Sequence, residues 1–249
     1  MWFKFSSTDA YFCGPMAQKK LKRFSEIKEF ENVLEYPENI AGKWCEHFKN
    51  DNPVTLELAC GKGEYVIGLA QLYPNKNFIG VDVKGNRIWV GAKFAIENNL
   101  GNVAFLRTQI HKIDTYFSKD EVEEIWITFP DPQLRISKAK KRLIHPRYLA
   151  LYNQFLKRSS KIHLKTDSPE LYNFTKTVID LYGLKLISDI NNIYDQEIIS
   201  PELKIKTHYE KLDIAKSNSI FYLCFSLPEK IIDADDELDL ILKNKLNEE

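Results

Sequence analysis

The chain has 249 residues, 35 basic against 35 acidic side chains, and 44% hydrophobic content, enough for one large core with short additions. No apolar run approaches the roughly 18 residues of a spanning helix, and the first twenty residues lack the continuous apolar stretch of a signal peptide. Cys13, Cys45, Cys60 and Cys224 lie far apart without a C-x-x-C pair, so they read as reduced thiols of a cytoplasmic protein with no metal site.

Residues 1–15 show neither period nor charge logic and are expected to be a disordered extension. Residues 16–53 read as a basic arm and N-terminal helices. Met16–Phe30 carries four basic residues within Lys19–Arg23 before turning amphipathic. Asn39–Lys49 is expected to be a helix with Ile40, Trp44, Cys45 and Phe48 inward. Asp51-Asn52-Pro53 then turns the chain into its main domain, residues 54–228.

That domain opens with the stretch around which the rest is organised. Val54, Thr55 and Leu56 read as a strand leading to Gly61 and Gly63. A helical face of Val66, Ile67, Leu69, Ala70 and Leu72 follows. A second strand, Phe78–Val81, ends on Asp82. Glycines let a backbone approach a ligand, and an acid at a strand end can accept from a ribose diol. The unit points to a nucleoside-containing cofactor. Val66 stands where a dinucleotide fingerprint needs its third glycine, and Gly61-Lys62-Gly63 lacks the hydroxyl of a P-loop. The carboxylate of Glu57 would repel a pyrophosphate but suits the sulfonium and amino group of S-adenosylmethionine. An ordinary strand–helix–strand unit with a glycine turn stays open on this stretch alone.

Further on, Lys84–Asn98 has helical period and Gly101 suits a left-handed cap. Val103–Leu106 reads as a strand, Ile110–Phe117 as a short helix, and Val122–Phe129 as a strand running into Pro130-Asp131-Pro132. Pro146–Leu156 is a helix with proline at its first turn, Lys161–Lys165 a strand, and Ser168–Tyr182 a helix capped by Ser168. Leu184–Asp189 and Ile220–Leu227 are the last strands. The final one has no crossover helix before it and is expected to be antiparallel. The alternation predicts an α/β fold, a doubly wound, mostly parallel sheet with a terminal antiparallel strand. Its ligand rim would hold Gly61, Asp82, the residues after Leu106, Asp131 and Thr166-Asp167.

Charge is segregated. Pro132–Thr166 has no acid but ten basic residues, at 135, 138, 140, 141, 142, 147, 157, 158, 161 and 165. Residues 229–249 form an acidic tail with eight acids and three lysines. A long basic window suggests a polyanionic partner, against the alternative of a solvated face.

With Glu57–Gly63 (ELACGKG), Phe78–Asp82 (FIGVD), Phe129–Pro132 (FPDP), Lys140–Arg142 (KKR), His163–Asp167 (HLKTD) and Thr207–Lys211 (THYEK), the chain resembles the bacterial tRNA (guanine-N7-)-methyltransferase family. The likeness spans about Met16 to Leu227. It implies a Rossmann-like class I methyltransferase that uses S-adenosylmethionine on a tRNA guanosine, in the variable loop; no membrane or metal partner is expected, and monomer and homodimer both stay open. It further implies donor contacts from Glu57, Gly61, Gly63, Asp82, Gln109 and Asp131, with Asp131 also the catalytic carboxylate. Arg135, Asp167, Thr207, His208, Tyr209 and Glu210 would meet the substrate, and Lys138, Lys140, Lys141 and Arg142 the RNA backbone. Three positions depart from the family pattern: Gln109 for an aspartate near the adenine, Gln133 for a tryptophan, and Arg135 for a lysine. A methyltransferase acting on a protein or exocyclic amine, or a non-catalytic RNA-binding module, are the competing readings. Amine methyltransferases usually carry Asn/Asp-Pro-Pro-Tyr/Phe after the fourth strand, which Pro130-Asp131-Pro132-Gln133 does not match.

Overall fold

The strand-forming runs assemble side by side. In the computed structural model, which describes residues 15–208, 210 and 219–248, eight strands share one sheet. They are β1 (Val33–Glu35), β2 (Val54–Leu58), β3 (Asn77–Asp82), β4 (Val103–Arg107), β5 (Val122–Thr128), β6 (Leu156–Thr166), β7 (Lys185–Ile190) and β8 (Phe221–Ser226). Their order is β1-β4-β3-β2-β5-β6-β8-β7. Every pairing from β1 to β6 is parallel, and β8 runs antiparallel to both β6 and β7. The antiparallel strand therefore lies inside the sheet, and β7 is the edge.

Helices cover both faces, which is why all five residues of β2 are buried. On one face α3 (Glu64–Leu72) and α4 (Gly85–Glu97) pack Tyr65, Val66, Leu69, Ile88 and Ala92 against Phe78, Phe105 and Trp126. On the other, α5 (Pro146–Tyr152) and α6 (Pro169–Leu181) pack Leu149, Tyr152, Phe174 and Val178 against Leu56, Ile79, Ile125 and Leu164. Before them come α1 (Pro15–Glu26) and the short α2 (Trp44–Phe48). The last helix is α7 (Asp235–Glu248), which sends Leu238 and Leu242 into the second core.

Several elements differ from expectation. The helix expected over residues 39–49 shrinks to α2, because Asn39 (φ 59°) and Gly42 (φ 76°) take left-handed conformations that no α-helix continues through. Trp44 is fully buried and its Nε1 donates to Tyr116 O at 2.9 Å, whereas Cys45, expected inward, is exposed. Asn99 (φ 54°), not Gly101, takes the left-handed position after α4. The acidic tail contains the packed helix α7, tied by the Tyr182 hydroxyl donating to Asp235 Oδ1 at 2.5 Å. Residues 1–14 lie outside the described residues. No described helix is long and apolar enough to cross a membrane.

A polar chain is buried where β5, β6 and β8 meet. His163 stacks on Trp126 at 4.0 Å, its Nδ1 is 2.8 Å from Tyr222 Oη, and its Nε2 is 2.8 Å from Glu124 Oε1. Burial pushes the Glu124 carboxyl up, but the His163 hydrogen bond and charge, with Lys76, outweigh it and hold it at about 2 against an ordinary 4.5. A depressed folded-state value stabilises the fold above the unfolded pKa, and this is lost as pH falls toward about 2. Glu124→Gln should therefore lower the melting temperature by at least about 2 °C near pH 5. The gap should close as acid is added. Thermal unfolding followed by circular dichroism checks this, and a gap independent of pH would contradict it.

Candidate functional site

Beyond Leu58 the backbone leaves the sheet through left-handed turns at Ala59 (φ 58°), Gly61 (φ 58°) and Gly63 (φ 74°). A Cβ on Gly63 would sit 2.6 Å from the Phe105 ring, so glycine there lets α3 close onto the sheet. A Cβ on Gly61 would meet nothing within 4 Å, so the outer side of that turn is open to a ligand. Asp82, at the end of β3, holds the turn: its Oδ2 accepts from Gly61 N at 3.0 Å and its Oδ1 from Lys84 N at 2.8 Å.

Glu57 sits one layer deeper and is only 2% exposed. Its Oε2 accepts from Val66 N at 2.9 Å and its Oε1 from Thr128 Oγ1 at 2.8 Å. Burial raises the carboxyl to about 8 despite both hydrogen bonds, and the other charges acting on it, Glu64 and Asp82, are negative. Among the described residues no cation hydrogen-bonds or ion-pairs with this buried carboxyl, although Lys62 and Arg87 line the space beside it. A small annex beside it, about 40 Å³, is walled by Ala59, Gly61, Thr128, Phe129, Thr207 and His208. The annex shares Ala59, Arg87 and Phe129 with a cleft of about 810 Å³ that also exposes Asp82, Asp131, Asp167 and Glu170.

The second wall of the cleft follows β5. Phe129 (φ 47°) and Gln133 (φ 48°) bracket the Pro130-Asp131-Pro132 turn in left-handed conformations, which are costly for residues with side chains and cluster at functional sites. The turn is held from both sides. Phe129 N donates to Lys165 O at 2.8 Å, and Arg142 donates from Nε to Pro132 O at 3.0 Å and from Nη2 to Gln133 O at 3.2 Å. Asp131 Oδ1 accepts from Gln133 N at 3.0 Å, which fixes the exposed carboxylate at the cleft.

The structure brings Glu57, Gly61, Asp82, Asp131, Asp167, Thr207 and His208 to these two connected cavities. Ser168 takes the cap of α6, accepting from Leu171 N at 3.2 Å, and Asp167 lines the cleft. Gln109 is exposed just past β4 and lines neither cavity. Tyr209 lies outside the described residues. Two expected roles are corrected. Arg142 is only 5% exposed, its guanidinium braces the Pro132–Gln133 carbonyls and stacks 4.4 Å over Phe174, so it is not a phosphate contact. Glu210 is not open to a substrate, because its carboxylate is buried against Lys165 Nζ at 2.8 Å.

The basic window is divided likewise. Arg135, Lys138, Lys140 and Lys141 are exposed on the segment that follows Leu134 of the cleft lining, with Lys140 3.7 Å from Asp239 of α7. Lys157 pairs with Glu123 and Arg158 with Glu229 at the opposite end of β6, and Lys165 is wholly buried. Cys60 is buried against Gly80, and burial pushes its thiol up, which disfavours the nucleophilic thiolate. Among the described residues no cluster of His, Cys, Asp and Glu could hold a metal ion. Arg87, Thr128 and Lys165 escaped sequence reasoning. Arg87 left one signal: a cation in the first turn of a helix, where the dipole disfavours it.

Residues 51–223 match a family described as a putative methyltransferase. A tRNA (guanine-N(7)-)-methyltransferase of Bacteroides fragilis is 42% identical over 236 residues, covering 90% of this chain and 93% of the relative. One from Porphyromonas gingivalis is 43% identical, covering 82% and 87%. The chain belongs to the tRNA (guanine-N7-)-methyltransferase family. A solved SAM-dependent methyltransferase from Aquifex aeolicus shares the fold, with a TM-score of 0.51 at 12% identity over 87% of this chain and 95% of that one.

If Arg142 is a brace and its neighbours are surface charges, the two classes separate on heating. Arg142→Ala should lower the melting temperature by at least about 4 °C. Lys138→Ala and Lys141→Ala should leave it within about 1 °C. Equal effects in calorimetric scans would return Arg142 to the surface.

Proposed function

We propose that this protein transfers a methyl group from S-adenosylmethionine to N7 of a guanosine in tRNA. The observation that carries the reading is the convergence of Glu57, Asp82 and Asp131, from the ends of adjacent parallel strands, on one pair of connected cavities in a member of this family. A buried carboxyl that makes no ion pair among the described residues fits a positively charged donor and disfavours a pyrophosphate. Glu57 would meet the cationic part of the donor, Asp82 its ribose, and the open side of Gly61 would give it close backbone approach. Bound S-adenosylmethionine supplies a methyl group activated by its sulfonium.

The protein's own task is alignment. Guanine N7 keeps a free lone pair at neutral pH, so no general base is needed to create the nucleophile. Asp131 would accept from the N–H groups of guanine and offset the positive charge that grows on the purine. Its proline neighbours and the Arg142 and Lys165 braces keep the carboxylate from drifting. N7 is recessed in folded RNA, so the base has to be turned out to reach the cleft. The exposed Arg135, Lys138 and Lys141 would hold phosphates near its mouth.

Incubation with unmodified tRNA and methyl-labelled donor, followed by cleavage at N7-methylguanosine, tests the reading. Wild-type protein should produce the cleavable product, and its absence would refute the assignment. Asp131→Asn keeps the size and one acceptor, so the fold and much of the donor affinity should persist while single-turnover rate falls by roughly 10²-fold or more. A wild-type rate in that variant would reduce Asp131 to a turn residue.

A further inference from the structure

Lys165 ends on a fully buried ammonium between two functional walls. Its Nζ donates to Leu203 O at 3.0 Å, Ile205 O at 2.9 Å and Glu210 Oε2 at 2.8 Å. The Tyr65 and Phe129 rings lie 5.5 and 5.7 Å away. The segment it holds is fixed at other points too, with the Tyr73 hydroxyl on Glu202 Oε1 and the Tyr194 hydroxyl on Glu210 Oε1. Tyr65 Oη donates to Glu202 O at 2.8 Å, His208 N donates to Glu64 Oε2 at 2.9 Å, and Ile205 packs on the bare face of Gly68. That segment delivers Thr207 and His208 to the annex beside Glu57. The backbone carbonyl of the same lysine receives Phe129 N at 2.8 Å, so one residue sets the position of both walls.

A buried ion pair is a poor way to gain stability, since apolar replacements of similar volume often do as well. What an apolar side chain cannot do is address two backbone carbonyls and so fix the register of an irregular segment. We propose that Lys165 is a positioning residue, latching residues 203–208 against α3 so that Thr207 and His208 close the donor pocket over Glu57. This rests on the reading of the annex and cleft as the methyl-donor site. Lys165 touches neither donor nor substrate; it acts through the wall it holds, and Glu210 serves as its counter-ion.

The test separates packing from positioning by titrating S-adenosylhomocysteine into the full-length protein. Lys165→Met alone strands the Glu210 carboxylate and should lower both melting temperature and affinity. Lys165→Met combined with Glu210→Leu removes both charges, so the melting temperature should return to within about 3 °C of wild type. Affinity should stay at least about tenfold weaker, because the two carbonyls have lost their donor. Gly68→Leu is the independent arm. A Cβ there would lie 2.8 Å from Ile205 Cγ2, so it displaces the segment with both charges intact and should weaken binding several-fold. Should the double variant not fold, this arm decides. A double variant that regains both stability and affinity, or wild-type affinity in Gly68→Leu, overturns the latch while leaving the pocket reading standing. Wild-type protein that binds no S-adenosylhomocysteine overturns the pocket reading and the latch with it.

Discussion

The buried carboxylate of Glu57 is the constraint on which the site depends. It ties β2 to the first turn of α3 through Val66 N and to the end of β5 through Thr128 Oγ1, so three elements meet at one carboxyl group. Two hydrogen bonds do not offset the loss of water, and burial holds the carboxyl at about 8. The fold thus carries a carboxyl that burial keeps protonated near neutral pH, and a cationic ligand favours its ionised form. Asp82 is arranged differently. It spends its accepting capacity on Gly61 N and Lys84 N, shaping the turn, while remaining at the cleft wall.

Strain and bracing accompany this arrangement. Ala59, Phe129 and Gln133 hold left-handed backbone conformations at the ends of β2 and β5. Such conformations persist only where neighbours over-determine them. Here the neighbours are cations turned inward: Arg142 on the carbonyls of Pro132 and Gln133, and Lys165 with its carbonyl on Phe129 N. Both are counted in a basic window that a charge tally assigns to the surface. The face left for a polyanion is narrower, around Arg135 to Lys141, and α7 places Asp239 beside it.

Much of this was legible in the chain. Seven of the eight strands and the main helices follow from short-range periodicity, and the glycine turn, Asp82 and Asp131 from their places at strand ends. What escaped depends on contacts distant in sequence. The three residues of β1 are too short for a period and form a strand only because β4 offers an edge. The position of β8 between β6 and β7 is a pairing choice that no local pattern encodes. The inward turn of Arg142, Lys165 and Glu210 depends on carbonyls or charges supplied by other segments, and local sequence holds no record of them.

The central claim is that the buried Glu57 carboxyl, protonated in the free protein, ionises to meet a cationic donor. Calorimetric titration of S-adenosylmethionine at about pH 7, in buffers of different ionisation enthalpy, measures it directly. A group at about 8 is mostly protonated there, and a bound cation drives the proton off. The account predicts proton release approaching one per site in wild-type protein, fading as pH rises past about 9, and absent in Glu57→Gln. Tight binding with identical proton exchange in wild type and Glu57→Gln would contradict it.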